Sequence, residues 1–524
     1  MRRRVFLRLL AAQAAATAFG CGPGQREGEI PALPDPDRWL GDDFSLGHRI
    51  RGGALDLSNA APGKTCDAIV VGGGISGLAA AWRLARSGRS VLVLEQAAVA
   101  GGNAKSERWG EIDYAIGAAY FCDPEGDEDL SALYTDLGLR TADGRMTVAE
   151  VPGGEAVHEG RIVRDLWTGE SDPASAADFG RIRDEWAGMF DRRYPAVPWS
   201  PKTTGWSRAE FERMDRTPFS RTLDELRAPR HVRAYCEHYC WSAFGGAASE
   251  VSSYAPLNFL TAEFGNLFAL PGGNAGVAHR LVRRLEALGV EIRTRAIAGS
   301  IRTAGTGAEV RALEPDGPRL HRAGACVVAV PRFMTKRIVD DYPAARLDEV
   351  SRMKWRSYVV GNLLLRGRPG KGWYDAYRID DCDPRSIGWT DLILADHVKE
   401  SAADYCVITA YRPLPWDDAR PGLEAEETPK RYRAELLRDV APALPALGLR
   451  ESQIAGSTFA RWGHPMVLAR PGQLSDGSLE RVSAPLTSIS FAQQDRYGLP
   501  AIEPAIHAGL DAAAEALAHL GTRA

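Results

Sequence analysis

The residues most suited to chemistry are Gly72-Gly73-Gly74-Ile75-Ser76-Gly77, followed one short strand later by Glu95 and Gln96. The spacing G-x-G-x-x-G forms a phosphate cradle when a strand precedes it and a helix follows. Gly72 permits the tight turn, Gly74 lets backbone approach a pyrophosphate, and Gly77 lets helix and strand pack closely. Ile75 and Ser76 fall in the first helical turn, whose free N–H groups face an anion. A carboxylate at Glu95, with Gln96 beside it, accepts hydrogen bonds from both ribose hydroxyls of an adenosine and repels a 2′-phosphate. The implied chemistry is redox work with a dinucleotide other than NADP. The bland alternative, a glycine-rich turn with no ligand, fits poorly with a complete strand–turn–helix.

The flanking sequence supplies that unit. Ala68 to Val71 is an apolar strand, Ile75 to Ser87 carries Leu78, Ala81, Trp82 and Leu84 at helical spacing before Gly88, and Ser90 to Leu94 is a second strand. The alternation returns with a helix over 276–288, a strand at Val290–Ile292, another over 326–330, a strand at 489–492 and a closing helix over 503–517. This pattern predicts an α/β fold: a Rossmann-like two-dinucleotide-binding domain over 65–119, 266–344 and 466–524. The less regular, aromatic-rich segments 120–265 and 345–465 are assigned to an interleaved α+β substrate domain. At 524 residues the chain is too long for one core, since cores stop growing near roughly 250–300 residues.

A net charge of −4 gives no electrostatic reason to expect nucleic acid as a partner. The eight Cys are too sparse for a disulfide scaffold. Cys236 and Cys240 share a helical spacing, but His238 would point elsewhere and no second pair follows, so they read as buried small hydrophobes and no metal site is assigned. The acidic run Asp123, Glu125, Asp127, Glu128, Asp129 reads as a solvated loop and helix start. Arg3-Arg4-Val5-Phe6-Leu7-Arg8 and the apolar stretch after it resemble a twin-arginine export signal over 1–21, and Ala18-Phe19-Gly20-Cys21 loosely resembles a lipoprotein box. The expectation is a protein exported in folded form, periplasmic or attached to the outer side of a membrane through lipidated Cys21. Residues 22–64, rich in Pro and Gly, are expected to be a loosely packed tether.

Further motifs resemble the flavin-containing amine oxidase superfamily from about Cys66 to the C-terminus. Gly101-Gly102-Asn103-Ala104-Lys105-Ser106 is similar to its second Gly-Gly signature, and Gly117-Ala118-Ala119-Tyr120 to the segment beside the isoalloxazine ring. Ala296-Ile297 resembles the stretch that meets adenine, and Val328–Pro331 the family's strand of the same form. Phe491 to Asp495 resembles a strand end whose acidic residue, here Asp495, closes over the pyrophosphate. Glu503-Pro504-Ala505 opens a helix similar to the one aimed at the flavin. The resemblance implies FAD, held by Gly72, Gly74, Ile75, Ser76, Gly77, Glu95, Gln96, Gly101, Gly102, Asn103, Lys105, Gly117, Ala118, Ala119, Ile297, Asp495, Pro504 and Ala505.

On the substrate side, Arg461-Trp462-Gly463-His464-Pro465 resembles a segment of the spermidine dehydrogenase-like branch. It makes Trp462 and His464 the catalytic candidates, with His464 a proton acceptor or orienting group; a hydrogen-bonded structural histidine is the competing reading. The family's flavin-facing Lys has no counterpart at Tyr358-Val359-Val360-Gly361, and Lys354 comes earlier. The electron acceptor is therefore oxygen or another carrier. Ala501-Ile502 do not provide the two-ring cage of monoamine oxidases. Three functions follow: hydride transfer from a small-molecule amine, with polyamines included; desaturase or protoporphyrinogen-oxidase-like work on a hydrophobic substrate; or a flavin-binding partner protein without turnover. A tunnel lined by Asp or Glu would favour the amine, an apolar tunnel the second.

Overall fold

The computed structural model describes residues 30–124, 126–192, 206–369, 373–380, 388–399, 403–414 and 417–521. The export signal, Cys21 and Glu125 lie outside them.

The strand that delivers the glycine motif, Ala61–Val71, is central in a seven-stranded sheet. Glu291–Arg293, Val91–Leu94, Ala61–Val71 and Gly317–Val328 run parallel in that order. The other edge of Gly317–Val328 is divided. Its first half pairs antiparallel with Gly307–Glu314, which pairs with Ile297–Ala304, and its last residues pair parallel with Ile489–Phe491. Strands covered on both faces must be apolar throughout, and Ala68 to Val71 are at most 3% exposed. Helices Ile75–Arg86, Ala275–Ala287 and Ile502–Gly521 share one core with this sheet, through Leu78 and Leu84, Val277 and Leu281, and Ile506 and Leu510. Ile69, Val71, Leu92 and Leu94 pack on the opposite face. This is the Rossmann-like α/β architecture expected.

A second sheet of eight strands runs in the order Trp39–Gly41, Ile454–Val467, Trp355–Arg366, Tyr405–Pro413, Asp391–Leu394, Asp375–Arg378, Glu155–His158, Arg161–Val163. Register aligns Ala460, Val360, Tyr411, Asp391 and Tyr377 across five neighbouring strands. Residues in register share a face. One side of this sheet therefore carries a row of tyrosines with a carboxylate among them.

The N-terminal segment departs from the tether expected. Trp39–Gly41 pairs parallel with Phe459–Arg461, and helix Phe44–Arg51 follows with Asp43 accepting from the Ser45 N–H as its cap. The Arg461 guanidinium lies between Trp39 and Phe44, 5.3 and 4.5 Å from their ring centres. Pro and Gly content suggested a loose chain, but a partner strand more than 400 residues away decides the outcome.

Candidate cofactor and substrate cavity

The two sheets enclose a cavity of 2320 Å³ that runs from the glycine motif to the tyrosine row. At its first end the backbone is stripped of side chains where a ligand must come close. Gly72 holds φ +104°, and a Cβ there would meet Ala329 O at 2.7 Å. Gly74 bridges to Gly101, and Gly102 holds φ +61° against it. Helix Ile75–Arg86 starts at Gly74 with no side-chain cap and no acidic residue in its first turn. Its leading N–H groups are left for an anion. Gly77 does not line the cavity; a Cβ would lie 1.9 Å from Gly72 O, so its glycine sets the helix–strand distance.

Glu95 is 7% exposed and lines the same end. Its oxygens accept from the Gly73 and Ala97 N–H groups, both at 2.7 Å, which fixes the carboxylate while leaving lone pairs toward the cavity. Burial raises its pKa, opposed by those two backbone bonds. Gln96, Gly101, Gly102, Asn103 and Lys105 continue the wall, and the Lys105 ammonium sits 5.9 Å over the Trp462 ring. The segment Gly117-Ala118-Ala119 is drawn taut by its carbonyls. Tyr411 donates to Gly117 O at 2.7 Å, Asn274 N–H to Ala118 O at 3.0 Å, and Tyr374 to Ala119 O at 3.3 Å. Pro504 and Ala505, in the first turn of the closing helix, reach the cavity from the other side. A glycine cradle, an uncapped helix start and a buried carboxylate with spare acceptors together fit a dinucleotide such as FAD.

Besides Gly77, two residues expected at this ligand stand elsewhere. Ile297 is buried off the wall, while its neighbours Ala296 and Ala298 form it, because a strand alternates its faces. Asp495 is fully buried and absent from the wall. Its Oδ2 accepts from the Arg332 N–H at 2.7 Å and its Oδ1 lies 3.6 Å from the Arg332 guanidinium, which is itself fully buried. Gln493 and Gln494 face the cavity in its place. The acidic run forms the helix start expected of it, and it also reaches the cavity. Asp127 caps helix Glu128–Asp136 and meets His507 Nε2 at 2.5 Å, and Asp123, Asp127, Glu128 and Asp129 line the cavity rim.

Trp462 and His464 both line the cavity, with different fates. Trp462 is buried and donates to Ile116 O at 2.7 Å, so it is locked beside the taut segment. His464 stacks on Phe333 with ring centres 3.9 Å apart, and its Nε2 is held by the Arg420 guanidinium. Burial and then Arg420 push its pKa down to about 3. It stays neutral, and its lone pair is already engaged, so the proton-acceptor reading does not stand. Lys354 is paired with Asp417.

The far end is built from residues that sequence spacing did not single out. Tyr120, Tyr239, Tyr358, Tyr377 and Tyr411 surround the carboxylates of Glu263 and Asp391. Tyr239 belongs to the aromatic-rich stretch noted in the sequence; most of its other rings are core. Asp391 accepts from the Thr390 hydroxyl at 2.6 Å, and Glu263 from the Tyr239 hydroxyl at 2.6 Å. Burial pushes each carboxyl up to about 7. The available signal was the carboxylate inside the apolar run Trp389 to Leu394.

Residues 70–137 match the NAD(P)-binding Rossmann-like domain family. Oxidoreductase PigB of Serratia sp. is 23% identical over 93% of this chain and 80% of its own length. Wild-type putrescine oxidase, solved with putrescine bound, covers 87% of this chain and 99% of its own at TM-score 0.64 and 20% identity. A fatty acid isomerase from P. acnes that produces CLA covers 85% and 97% at TM-score 0.62 and 17% identity.

Proposed function

We propose that this chain, an FAD-dependent oxidoreductase of the flavin-containing amine oxidase-like superfamily, oxidises an amine whose nitrogen lies among the tyrosines and carboxylates at the far end of the cavity. FAD, when bound, supplies the hydride acceptor. Gly72, Gly74, Gly101 and Gly102 would receive its pyrophosphate and Glu95 its ribose. Trp462 and the 117–119 segment would border the ring system.

One observation carries the substrate reading. The wall opposite the glycine end contains Glu263 and Asp391, and the strongest charged neighbours of adjacent Asp375 are Asp391, Glu263 and Glu155, all carboxylates. Buried anions without a protein cation are costly unless a ligand supplies the charge. An ammonium does so; a fatty acyl chain does not. Two carboxylates at one end also suit a diamine or polyamine, which the likeness to a putrescine oxidase supports at the level of fold. With Lys354 committed to Asp417, we further propose that electrons leave through a carrier rather than oxygen, in a protein exported by the twin-arginine route.

The test is a visible spectrum of the purified protein, then anaerobic mixing with putrescine, spermidine and butylamine. Flavin bands that bleach with an amine support the reading, and readmitted air distinguishes oxygen from another acceptor. A flavin spectrum that no amine changes moves the substrate to the hydrophobic class; absence of flavin after FAD is added removes the proposal.

A further inference from the structure

We propose that Asp391 takes the proton from the substrate's ammonium group, acting with Asp375 as one proton-sharing pair; this rests on the amine reading above. An aliphatic amine, with a pKa of roughly 10, arrives protonated at neutral pH. Hydride leaves the α-carbon readily only when the nitrogen has its lone pair. The cavity must therefore hold a group that accepts a proton where the nitrogen sits, and His464 is not that group.

Position comes first. Asp391 stands in the register row between Tyr411 and Tyr377, at the cavity wall. Asp375 is two residues along the neighbouring strand on the same face, opposite Ile393. It is 6% exposed, and its Oδ1 has no partner. Asp375 also borders a void of 10 Å³ shared with Tyr120, Glu263 and Tyr377, all three of which line the main cavity too. That is about the space one water needs. An unpartnered buried oxygen beside a water-sized void gives a proton somewhere to go next.

The groups facing the pair come from every packed element. Helix Arg230–Phe244 contributes Tyr239 and Ser242, and Glu263 follows helix Tyr254–Ala262. Strands contribute Tyr120, Tyr358 and Tyr411, the bend just before Asp391 contributes Thr390, and Glu155 accepts the Tyr374 and Asp375 N–H groups at 3.2 Å. Each of these is a hydroxyl or a carboxyl. Two close carboxylates do not both ionise readily, so the pair keeps one shared proton until the pH rises to about neutrality, above which Asp391 is free to accept one. Burial pushing Asp391 up to about 7 agrees with this.

The step balances. An N–H bond of the ammonium breaks and an O–H bond forms on Asp391; nitrogen keeps the electron pair, and the ion pair becomes a neutral amine beside a neutral acid. The flavin remains the oxidant for the hydride that follows. A base whose pKa lies near the working pH is the efficient choice.

The pH dependence of anaerobic flavin reduction by putrescine, as second-order rate constants between pH 5.5 and 10, tests this. A wild-type limb below about pH 7, then a plateau to the substrate's own pKa near 10, is expected. Asp391→Asn, with flavin content and unfolding temperature unchanged, should reduce the rate at pH 7.5 by roughly 10²–10⁴-fold. Its rate should then climb tenfold per pH unit, because only amine already neutral can react. Asp375→Asn removes the like charge and should move the acid limb to lower pH without abolishing it. Turnover-free evidence comes from tert-butylamine, which has no α-hydrogen. Its binding, measured calorimetrically in buffers of different ionisation enthalpy, should release up to one proton at pH 6 and none at pH 9. A wild-type rate rising tenfold per unit from pH 6 to 10, or no proton release at pH 6, overturns the proposal and leaves the amine reading standing. Failure of every amine to bleach the flavin removes both.

Discussion

Asp495 separates what resemblance to the flavin-containing amine oxidases implies from what the packing of this chain does. Resemblance places this carboxylate over the cofactor, whereas the structure places it, fully buried, against Arg332. Arg332 also donates to Ala492 O at 3.0 Å and to Ser483 Oγ at 3.1 Å, and no solvent reaches either partner. Asp495→Asn keeps an oxygen for the Arg332 N–H but removes the charge, leaving a buried guanidinium uncompensated. Breaking a buried pair from one side costs about 3–5 kcal/mol. For a unit of roughly 250 residues, 1 kcal/mol moves the midpoint by about 2 °C, so a fall of roughly 6–10 °C is expected. Arg332→Met combined with Asp495→Leu removes both charges and should recover most of that loss, since apolar replacements of a buried pair are often neutral or stabilising. The assay is thermal unfolding by circular dichroism, with the flavin-to-protein absorbance ratio measured at 20 °C, a temperature the experimenter sets well below the transition. The reasoning fails if Asp495→Asn lowers flavin occupancy at 20 °C while the midpoint stays where it was. That outcome would return Asp495 to the cofactor.

Two further predictions concern the cavity's frame. Gly77→Ala puts a Cβ 1.9 Å from Gly72 O, a contact between two backbones that only a separation of helix and strand relieves. Overpacking of this kind costs typically about 1–3 kcal/mol, and here it also spreads the phosphate cradle. FAD titration followed by flavin fluorescence should show affinity at least tenfold weaker, and an unchanged value would refute the close-packing role. His507 reports through pH: burial opposes its charge, but the hydrogen bond and charge of Asp127 outweigh it and raise its pKa. A raised value means the contribution is full below the ordinary pKa near 6.5 and disappears as pH rises through the folded-state value. His507→Gln should therefore lower denaturant stability at pH 5.5–6 and have little effect at pH 10, measured by urea unfolding at both; an equal loss at both would show packing alone.

The two halves of the cavity differed in how far they could be read from sequence, and the reason is the range of the information. The strand Ala68–Val71, the glycine turn and the helix after it are neighbours in the chain, so period and residue type specify them locally. Glu95 follows from the same unit. Tyr358, Tyr377, Asp391 and Tyr411 meet only because four strands pair in one register, and no local spacing encodes that register. Trp39 is clearer still, since its partners Phe459 and Arg461 are at the opposite end of the chain. Asp495 shows the converse limit: a motif carried its sequence position correctly to the strand end, but not which way the side chain points.

The same contrast bears on specificity. The glycine end is constrained by backbone contacts, where a single added carbon collides with Gly72 O or Ala329 O. Its chemistry can change little without losing the dinucleotide. The far wall is a sheet face on which each side chain can be exchanged without moving a strand, so substrate choice can vary on an unaltered frame. That is why likeness of fold to a putrescine oxidase and to a fatty acid isomerase, at nearly equal TM-scores, cannot choose between their substrates. The choice lies with the charge on this wall. Replacing Asp391 and Glu263 with Leu would leave a tyrosine-lined apolar pocket, and binding of tert-butylamine should then fall at least a hundredfold, read by calorimetry; retention of that affinity would place the ammonium elsewhere in the cavity.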